Sequence, residues 1–257
     1  MIPDGTPETE ASDRIELEVC VDSAEGFATA RQAGIDRIEL CSALGLGGLT
    51  PSPGFLKAAA SSFSFPDRPR IFVMIRPRPG DFVYGAADLA VAEADLAAAR
   101  AAGAEGAVFG ASRPDGGLDL AALERLKRAA GPLELTLHRA FDLTPDPMAA
   151  LEQAVDLGFA RILTSGGAAT APQGAALLAR LIRAARGRIQ IMPGGGVTPE
   201  NARALLLKTG ARALHGSFSG PARKGVLGEP GLRATSPQVL GRMLAALRRR
   251  ETEEAAP

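Results

Sequence analysis

Eight short runs rich in aliphatic and β-branched residues alternate along this chain with eight Ala/Leu-rich segments of helical periodicity. Runs of that length and composition favour β-strands. Strict alternation of strand and helix through eight units is typical of a (β/α)₈ barrel, and a doubly wound open sheet is the alternative. The sequence therefore predicts an α/β TIM barrel as a single domain, with strands near residues 15–20, 37–41, 71–76, 106–110, 133–139, 161–165, 188–193 and 211–217.

Several predicted strands carry polar residues on the face that must turn into the barrel. Side chains alternate between the two faces of a strand, and the surrounding helices cover the aliphatic face. Because charges buried without partners are costly, inward polar residues indicate either an internal ion network or a functional site. The residues with this inward parity are Glu16, Glu18, Cys20, Arg37, Glu39, Cys41, Thr136 and His138.

Polar residues also follow the predicted strands at their C-terminal ends. In TIM barrels the working face is built there, from strand ends and the loops after them. Arg76 and Arg139 lie at such ends, as do both histidines of the chain, His138 and His215. The N-terminal strand ends show no comparable cluster, so we expect one functional mouth.

Composition limits the class of protein. The chain has 257 residues, of which 46% are hydrophobic, enough to bury a sizeable core. Its 29 basic and 29 acidic residues cancel, so no basic field favours nucleic acid. No stretch approaches the roughly 20 apolar residues of a membrane span. We expect a cytoplasmic protein without nucleic-acid or membrane partners, with its barrel at residues 14–250 and frayed tails at 1–13 and 251–257.

The two cysteines suggest a first chemistry. Cys20 and Cys41 end neighbouring predicted strands, which should lie about 4.8 Å apart, and both have inward parity. Two thiolates placed together in this way can bind a soft ion such as Cu(I). The alternative is that both thiols are small buried hydrophobic groups, kept reduced in the cytoplasm.

The remaining polar residues suggest an enzyme that needs no metal. Glu18 and Glu39 lie on adjacent strands, where one can raise the pKa of the other and take part in proton transfer. His138 or His215 is a candidate general acid or base, and Arg76 and Arg139 can hold the carboxylate or phosphate of a small metabolite. The structural alternative is an internal ion network in which Glu18 and Glu39 pair with Arg37, Arg76 and Arg139. A scaffold that works through its oligomer surface is a third possibility.

A glycine-rich turn after the seventh predicted strand lies where TIM barrels commonly bind phosphate through backbone amides. No lysine falls at a predicted strand end, so we expect neither pyridoxal phosphate nor a Schiff base, and no nucleotide cofactor. The candidate anion-binding residues are Thr164, Ser165, Gly194, Gly195, Gly196, His215 and Ser217.

Several motifs in order resemble the CutC family of copper homeostasis proteins over residues 15–220. They are LEVC (17–20), AGIDRIELC (33–41), GGLTPS (47–52), IRPRPGDF (75–82), HRAFD (138–142), LTSG (163–166) and PGGGV (193–197), together with His215. The resemblance implies a TIM-type barrel in the cytoplasm that associates with itself as a homodimer or higher oligomer. It also implies a role in copper homeostasis, with Cys20 and Cys41 as Cu(I) ligands.

Overall fold

The computed structural model describes residues 14–60, 68–221 and 233–253. Within these ranges, eight parallel strands alternate with eight α-helices, which confirms the predicted TIM barrel. The strands are β1 Glu16–Val21, β2 Arg37–Leu40, β3 Arg70–Met74, β4 Gly106–Phe109, β5 Glu134–Leu137, β6 Arg161–Thr164, β7 Gln190–Pro193 and β8 Ala213–Gly216. The helices are α1 Ala24–Gln32, α2 Pro53–Ala60, α3 Ala86–Ala101, α4 Leu120–Ala130, α5 Pro147–Asp156, α6 Ala175–Ala185, α7 Ala202–Thr209 and α8 Pro237–Glu253.

The strands follow one another around the barrel in the order β7-β6-β5-β4-β3-β2-β1-β8, so β7 and β8 meet at the seam of a nearly closed sheet. The pairing of β1 with β2 and β8 determines which polar side chains meet inside the barrel. Glu18 lies beside Arg37 of β2 on one side and beside His215 of β8 on the other. Cys20 lies beside Glu39. The inward polar residues of three strands therefore share one layer.

Aliphatic residues on the outer face of the strands pack under the helices and form the main core. Leu17, Val19, Ile38 and Leu40 are all buried there. Helix starts follow the expected capping chemistry, because the Asp146 carboxylate accepts hydrogen bonds from the first-turn amides of α5. The alternation along the strands therefore puts aliphatic residues under the helices and polar residues inside the barrel, as the fold requires.

Some boundaries differ from the sequence-based expectation. We expected α6 and α7 to begin at prolines 172 and 199, but each begins three residues later, after turns. Two short 3₁₀ helices, Leu44–Leu46 and Arg139–Leu143, lie in loops at the barrel mouth. The expected N-terminal tail at 1–13 lies outside the described residues. The expected C-terminal tail at 251–257 begins inside α8, which includes residues 251–253, and residues 254–257 lie outside the described range.

The N-terminal ends of the strands carry a polar cluster that the sequence analysis wrongly excluded. The Glu16 carboxylate accepts hydrogen bonds from Arg37 Nη1 at 3.5 Å and from Gln190 Nε2 at 3.0 Å. Glu134 accepts from Arg161, and from Arg70 Nη2 at 2.7 Å. The prediction failed because these residues are spread over six strands and meet only when the barrel closes.

Phe72 of β3 lies at the centre of this cluster. The guanidinium groups of Arg37 and Arg161 lie 5.3 and 4.7 Å from the centroid of its ring, within the range of cation–π attraction. Its ring also lies against Gly106, where an added Cβ would come within 2.0 Å of a ring carbon. Phe72 and the ion pairs around it therefore fill the bottom of the barrel, so the cavity described below opens at the other end.

Among the residues that the structure describes, none of the helices combines the length and the apolar character needed to cross a lipid bilayer.

We predict that replacing Arg37 with methionine destabilises the protein strongly. Arg37 is 2% exposed and pairs with the fully buried Glu18, so the variant leaves a buried carboxylate without its arginine partner. Breaking such a pair costs about 3–5 kcal/mol of the free energy of unfolding. Chemical denaturation measures this change.

Arg188→Met is the matched control, because Arg188 pairs with Glu152 at the surface. An exposed ion pair contributes only about 0–1 kcal/mol. Equal stability losses in the two variants would contradict the role of Arg37.

Candidate functional site

A cavity of about 500 Å³ opens at the C-terminal ends of the strands. The structure brings nine of the predicted site residues to its wall, and five others lie behind that wall. The nine are Cys20, Glu39, Arg76, His138, Arg139, Gly195, Gly196, His215 and Ser217. The five are Glu18, Cys41, Thr164, Ser165 and Gly194.

Glu18 lies at the base of the site, with no exposed surface. One of its carboxylate oxygens accepts a hydrogen bond from Arg37 Nε, and the other accepts from His215 Nδ1 at 2.7 Å. Burial alone would raise the pKa of Glu18, but the charges of Arg37 and His215 and their hydrogen bonds lower it to about 2. Glu18 is therefore a fixed negative charge rather than a group that exchanges protons near neutral pH.

His215 connects this buried charge to the cavity. Its Nδ1 is bound to Glu18, and its Nε2 lies 3.8 Å from Glu39 Oε2. Burial would lower the pKa of His215, but Cys20, Glu39 and Glu18 together raise it well above its usual value. One ligand atom each from Cys20, Glu39 and His215 lie within 4.8 Å of one another, and all three residues are buried.

Glu39 differs from Glu18 although the two residues are neighbours. Burial and the nearby charge of Glu18 raise the pKa of Glu39 to about 7, against the attraction of His215 and Arg37. Its Oε2 accepts a hydrogen bond from Cys41 Sγ at 3.3 Å, while its Oε1 has no partner among the described residues. The two glutamates lie on adjacent strands, as the sequence predicted, but their pKa values are shifted in opposite directions.

Both cysteines are neutral thiols in this environment. Burial raises the pKa of Cys20, and burial together with the charge of Glu39 raises that of Cys41 well above its usual value. The two side chains belong to one apolar cluster, with Phe72 and Met74 among its members. Cys20 lines the cavity, whereas Cys41 is completely buried behind Glu39.

Arg76 is used differently from the anion clamp that the sequence suggested. Its Nη1 donates to the carbonyl oxygens of Leu46 and Gly48, and its Nη2 donates to that of Gly80. Its guanidinium also lies 4.9 Å from the centroid of the Phe82 ring. Arg76 thus holds the loops after β2 and β3 against the mouth.

The expected anion site at the end of β6 is filled by a side chain of the protein itself. The Asp142 carboxylate accepts hydrogen bonds from the hydroxyl of Thr164, from the amide of Ser165 at 3.1 Å and from the amide of Gly167 at 3.0 Å. It also pairs with Arg139 Nε at 2.8 Å. Thr164 and Ser165 therefore serve an internal carboxylate, and the HRAFD motif was the only sequence signal for this.

His138 is a neutral hydrogen-bond donor at the mouth. Its Nδ1 accepts a hydrogen bond from the amide of Ala140 at 3.1 Å, so the ring proton lies on Nε2. Burial and the nearby charge of Arg76 lower the pKa of His138 to about 3. That value does not suit the expected acid–base exchange at neutral pH.

In the turn after β7, Gly194 supports the fold, whereas Gly195 and Gly196 line the cavity. The amide of Gly194 donates to the carbonyl of Thr164 at 3.0 Å, so it takes part in the fold rather than in binding. Gly195 and Gly196 have φ values of 91° and 70°, which non-glycine residues rarely adopt. Their amides have no hydrogen-bond partner within the described part of the chain. Ser217 Oγ lies 2.7 Å from Ser219 Oγ.

The cavity wall also contains residues that were not predicted as site residues, with Phe82, Phe218 and Arg233 among them. Phe82 follows Arg76 in the IRPRPGDF motif, which was a usable signal, since an aromatic ring beside an arginine can stack on it. Nothing in the local sequence marks Arg233, because it does not lie at the end of a predicted strand.

We predict that His138 stays neutral, with its proton on Nε2, from pH 5 to pH 8. Because its pKa of about 3 lies below this window, less than about 1% of the ring carries a second proton even at pH 5. Two-dimensional ¹H–¹⁵N spectra of histidine-labelled protein report the tautomer directly. A His138 resonance that titrates near pH 6.5 would contradict this environment, and free histidine in the same buffer is the control.

Comparison with known proteins agrees with the motifs. The model of the CutC family matches residues 15–220. A CutC family protein from Sinorhizobium medicae is 56% identical over 206 residues, covering 80% of this chain and 82% of the relative. The human copper homeostasis protein cutC homolog is 48% identical over 199 residues, covering 77% and 71% respectively. The crystal structure of CutC from Streptococcus agalactiae superposes with a TM-score of 0.75 at 35% identity, covering 79% of this chain and 98% of that one. This chain belongs to the CutC family.

Proposed function

We propose that the protein takes part in copper homeostasis by binding Cu(I) at the mouth of its barrel. The observation that carries the proposal is the cluster of Cys20, His215 and Glu39, whose ligand atoms lie within 4.8 Å of one another beside the cavity. The human relative, described as a copper homeostasis protein homolog, supports the same role. The cytoplasm suits this chemistry, because its thiols stay reduced.

Among these groups, the sulfur and nitrogen atoms suit Cu(I) best. Cu(I) prefers thiolate, thioether and imidazole ligands to carboxylates. Cys20 Sγ and His215 Nε2 are therefore the primary ligands in this proposal. Glu18 supports His215 as carboxylates commonly support metal-binding imidazoles, by accepting a hydrogen bond from the other ring nitrogen.

Cys41 is the second thiol of the proposed site. Its Sγ lies 3.3 Å from Glu39 Oε2, and Met74 adds a thioether to the same cluster. Cys41 must turn away from Glu39 to reach an ion bound at Cys20. We therefore assign it a smaller share of the affinity than Cys20.

A second candidate function is supported by the size and charge of the cavity. Its volume of about 500 Å³ falls in the range of small-molecule sites and far exceeds the needs of one ion. Arg76, Arg139 and Arg233 line it, and Glu39 is the one acidic residue of the described lining. These features favour an enzyme that acts on a small anionic or phosphorylated metabolite.

Self-association, which the family resemblance implies, stays a prediction.

We predict that Cys20→Ser and His215→Gln each weaken Cu(I) binding by at least about tenfold, because each removes a primary ligand. Cys41→Ser has a smaller effect. Anaerobic competition with a chromogenic Cu(I) chelator measures the affinity. Met148→Leu is the control, since this partly buried thioether packs against the main core rather than the mouth. Unchanged stoichiometry and affinity in a Cys20→Ser, Cys41→Ser double variant would refute Cu(I) binding at this site.

The affinity for Cu(I) should rise with pH between 6 and 8. The pKa of Cys20 is raised by burial and that of His215 by its acidic neighbours and Cys20, so both groups hold protons that the ion must displace. Each released proton contributes up to about tenfold per pH unit. The same chelator competition at several pH values measures the slope. A flat profile would mean that neither group is a ligand.

A further inference from the structure

Two donors at the mouth are buried without a hydrogen-bond partner. His138 is 3% exposed and Arg76 is 5% exposed. Among the described residues, nothing accepts a hydrogen bond from His138 Nε2 or from Arg76 Nε. Buried polar groups in folded proteins are nearly always paired, so each unpaired group calls for an explanation. Both residues line the cavity. Arg76 also interacts with the hydroxyl of Tyr84 inside the protein. For His138 Nε2, a ligand oxygen is the natural partner.

The orientation of the His138 ring supports this explanation. An added Cβ on Gly110 would lie 2.6 Å from both Nδ1 and Cε1, so this edge of the ring is packed against the backbone of Gly110. The Nδ1 atom is further fixed by the amide of Ala140. The ring also packs on Phe82, with 4.6 Å between the two ring centroids. The position of the ring is therefore fixed on three sides, and Nε2 is the one ring nitrogen left to donate to a ligand.

A second group of donors lies beside the glycine turn. Arg139 Nη1 is 3.3 Å from the position of a Cβ added to Gly195, so the guanidinium lies over the turn. Its Nε and Nη2 bind Asp142 and Ser165, whereas its Nη1 has no partner among the described residues. The amides of Gly195 and Gly196 are likewise free within the described part of the chain. Three N–H groups of two kinds are thus available together for an anion.

We propose that the mouth binds a small organic anion with two oxygen-bearing ends. One end, a carbonyl or carboxylate oxygen, accepts a hydrogen bond from His138 Nε2. The other end, a phosphate or carboxylate, is held by the amides of Gly195 and Gly196 and by Arg139. This inference deepens the second candidate function above, and it does not depend on Cu(I) binding.

The charges around this part of the cavity fit such a ligand. Asp142 neutralises part of the charge of Arg139, but its carboxylate is already surrounded by donors from β6 and the loop after it. Arg76 lies next to His138 and makes no ion pair with a carboxylate among the described residues; its guanidinium donates to the carbonyl oxygens of Leu46, Gly48 and Gly80. A net positive field therefore remains for the anion, and the neutral His138 ring is a donor that does not compete for protons.

Isothermal titration calorimetry on reduced, copper-free protein tests the proposal. The probes are 2-phosphoglycolate, malonate and inorganic phosphate. We expect at least one of the first two to bind, and inorganic phosphate to bind more weakly, because it can use only one end of the site. His138→Asn keeps an acceptor for the amide of Ala140 and removes the Nε2 donor. This variant should weaken binding of the two-ended probe by about tenfold and leave the affinity for phosphate unchanged.

Arg139→Gln should weaken binding of every probe that binds the wild type. Its matched control is Arg188→Gln, since the two arginines have side-chain exposures of 43% and 42% and each pairs with one carboxylate. The control should bind as the wild type does. In the wild type, the His138 Nε2–H resonance should also shift when the two-ended probe is added, which needs no variant.

The proposal is overturned if neither 2-phosphoglycolate nor malonate binds, or if binding is unchanged in His138→Asn and leaves the His138 resonance unmoved. The experiments distinguish failure of this anion site from failure of the proposed Cu(I) site. Cys20→Ser should leave anion binding intact while it weakens Cu(I) binding, so loss of the copper role leaves this site standing. If a probe binds but related metabolites are not turned over, the anion-binding site is supported and only the enzymatic function is refuted.

Discussion

The buried carboxylate of Glu18 is the interaction on which the rest of this structure depends. It joins Arg37, which belongs to the polar cluster at the bottom of the barrel, to His215, which faces the cavity. A carboxylate without exposed surface is stable only with both of its oxygens satisfied by charged donors. The same pairing fixes the His215 ring, with Nδ1–H donating to Glu18. The chemistry of the mouth is therefore tied to the closure of the sheet between β1, β2 and β8.

This interior differs from the layers of branched aliphatic residues that usually fill TIM barrels. Here the bottom holds Phe72 between arginines, and the middle holds the Glu18 pairings. The apolar side chains pack instead on the outer faces of the strands, under the helices. The interior can be polar because nearly all its groups are paired within the barrel. Of the buried side-chain atoms without a partner in the described part of the chain, Glu39 Oε1, Arg76 Nε and His138 Nε2 belong to residues that line the cavity.

The cavity has two sides of different chemical character. The side formed by β1, β2 and β8 carries a thiol, a glutamate with a raised pKa and a histidine held by a carboxylate. The side formed by the ends of β5 and β7 carries neutral or cationic N–H donors, with His138 and Gly195 among them. Sulfur and imidazole suit a soft metal ion, whereas N–H donors suit oxygen anions. One mouth can thus serve two ligand classes.

The sequence alone determined the barrel, the inward parity of Glu18, Glu39 and Cys20, and membership of the CutC family, because strand alternation and ordered motifs are local properties of the chain. Only the tertiary structure decided how these groups are used. The cluster around Phe72 and the carboxylate of Asp142 within the β6 donors each join residues far apart in sequence. Whether a buried group is charged, neutral or already paired depends on its neighbours in space, and those neighbours come from strands whose contacts no local pattern records.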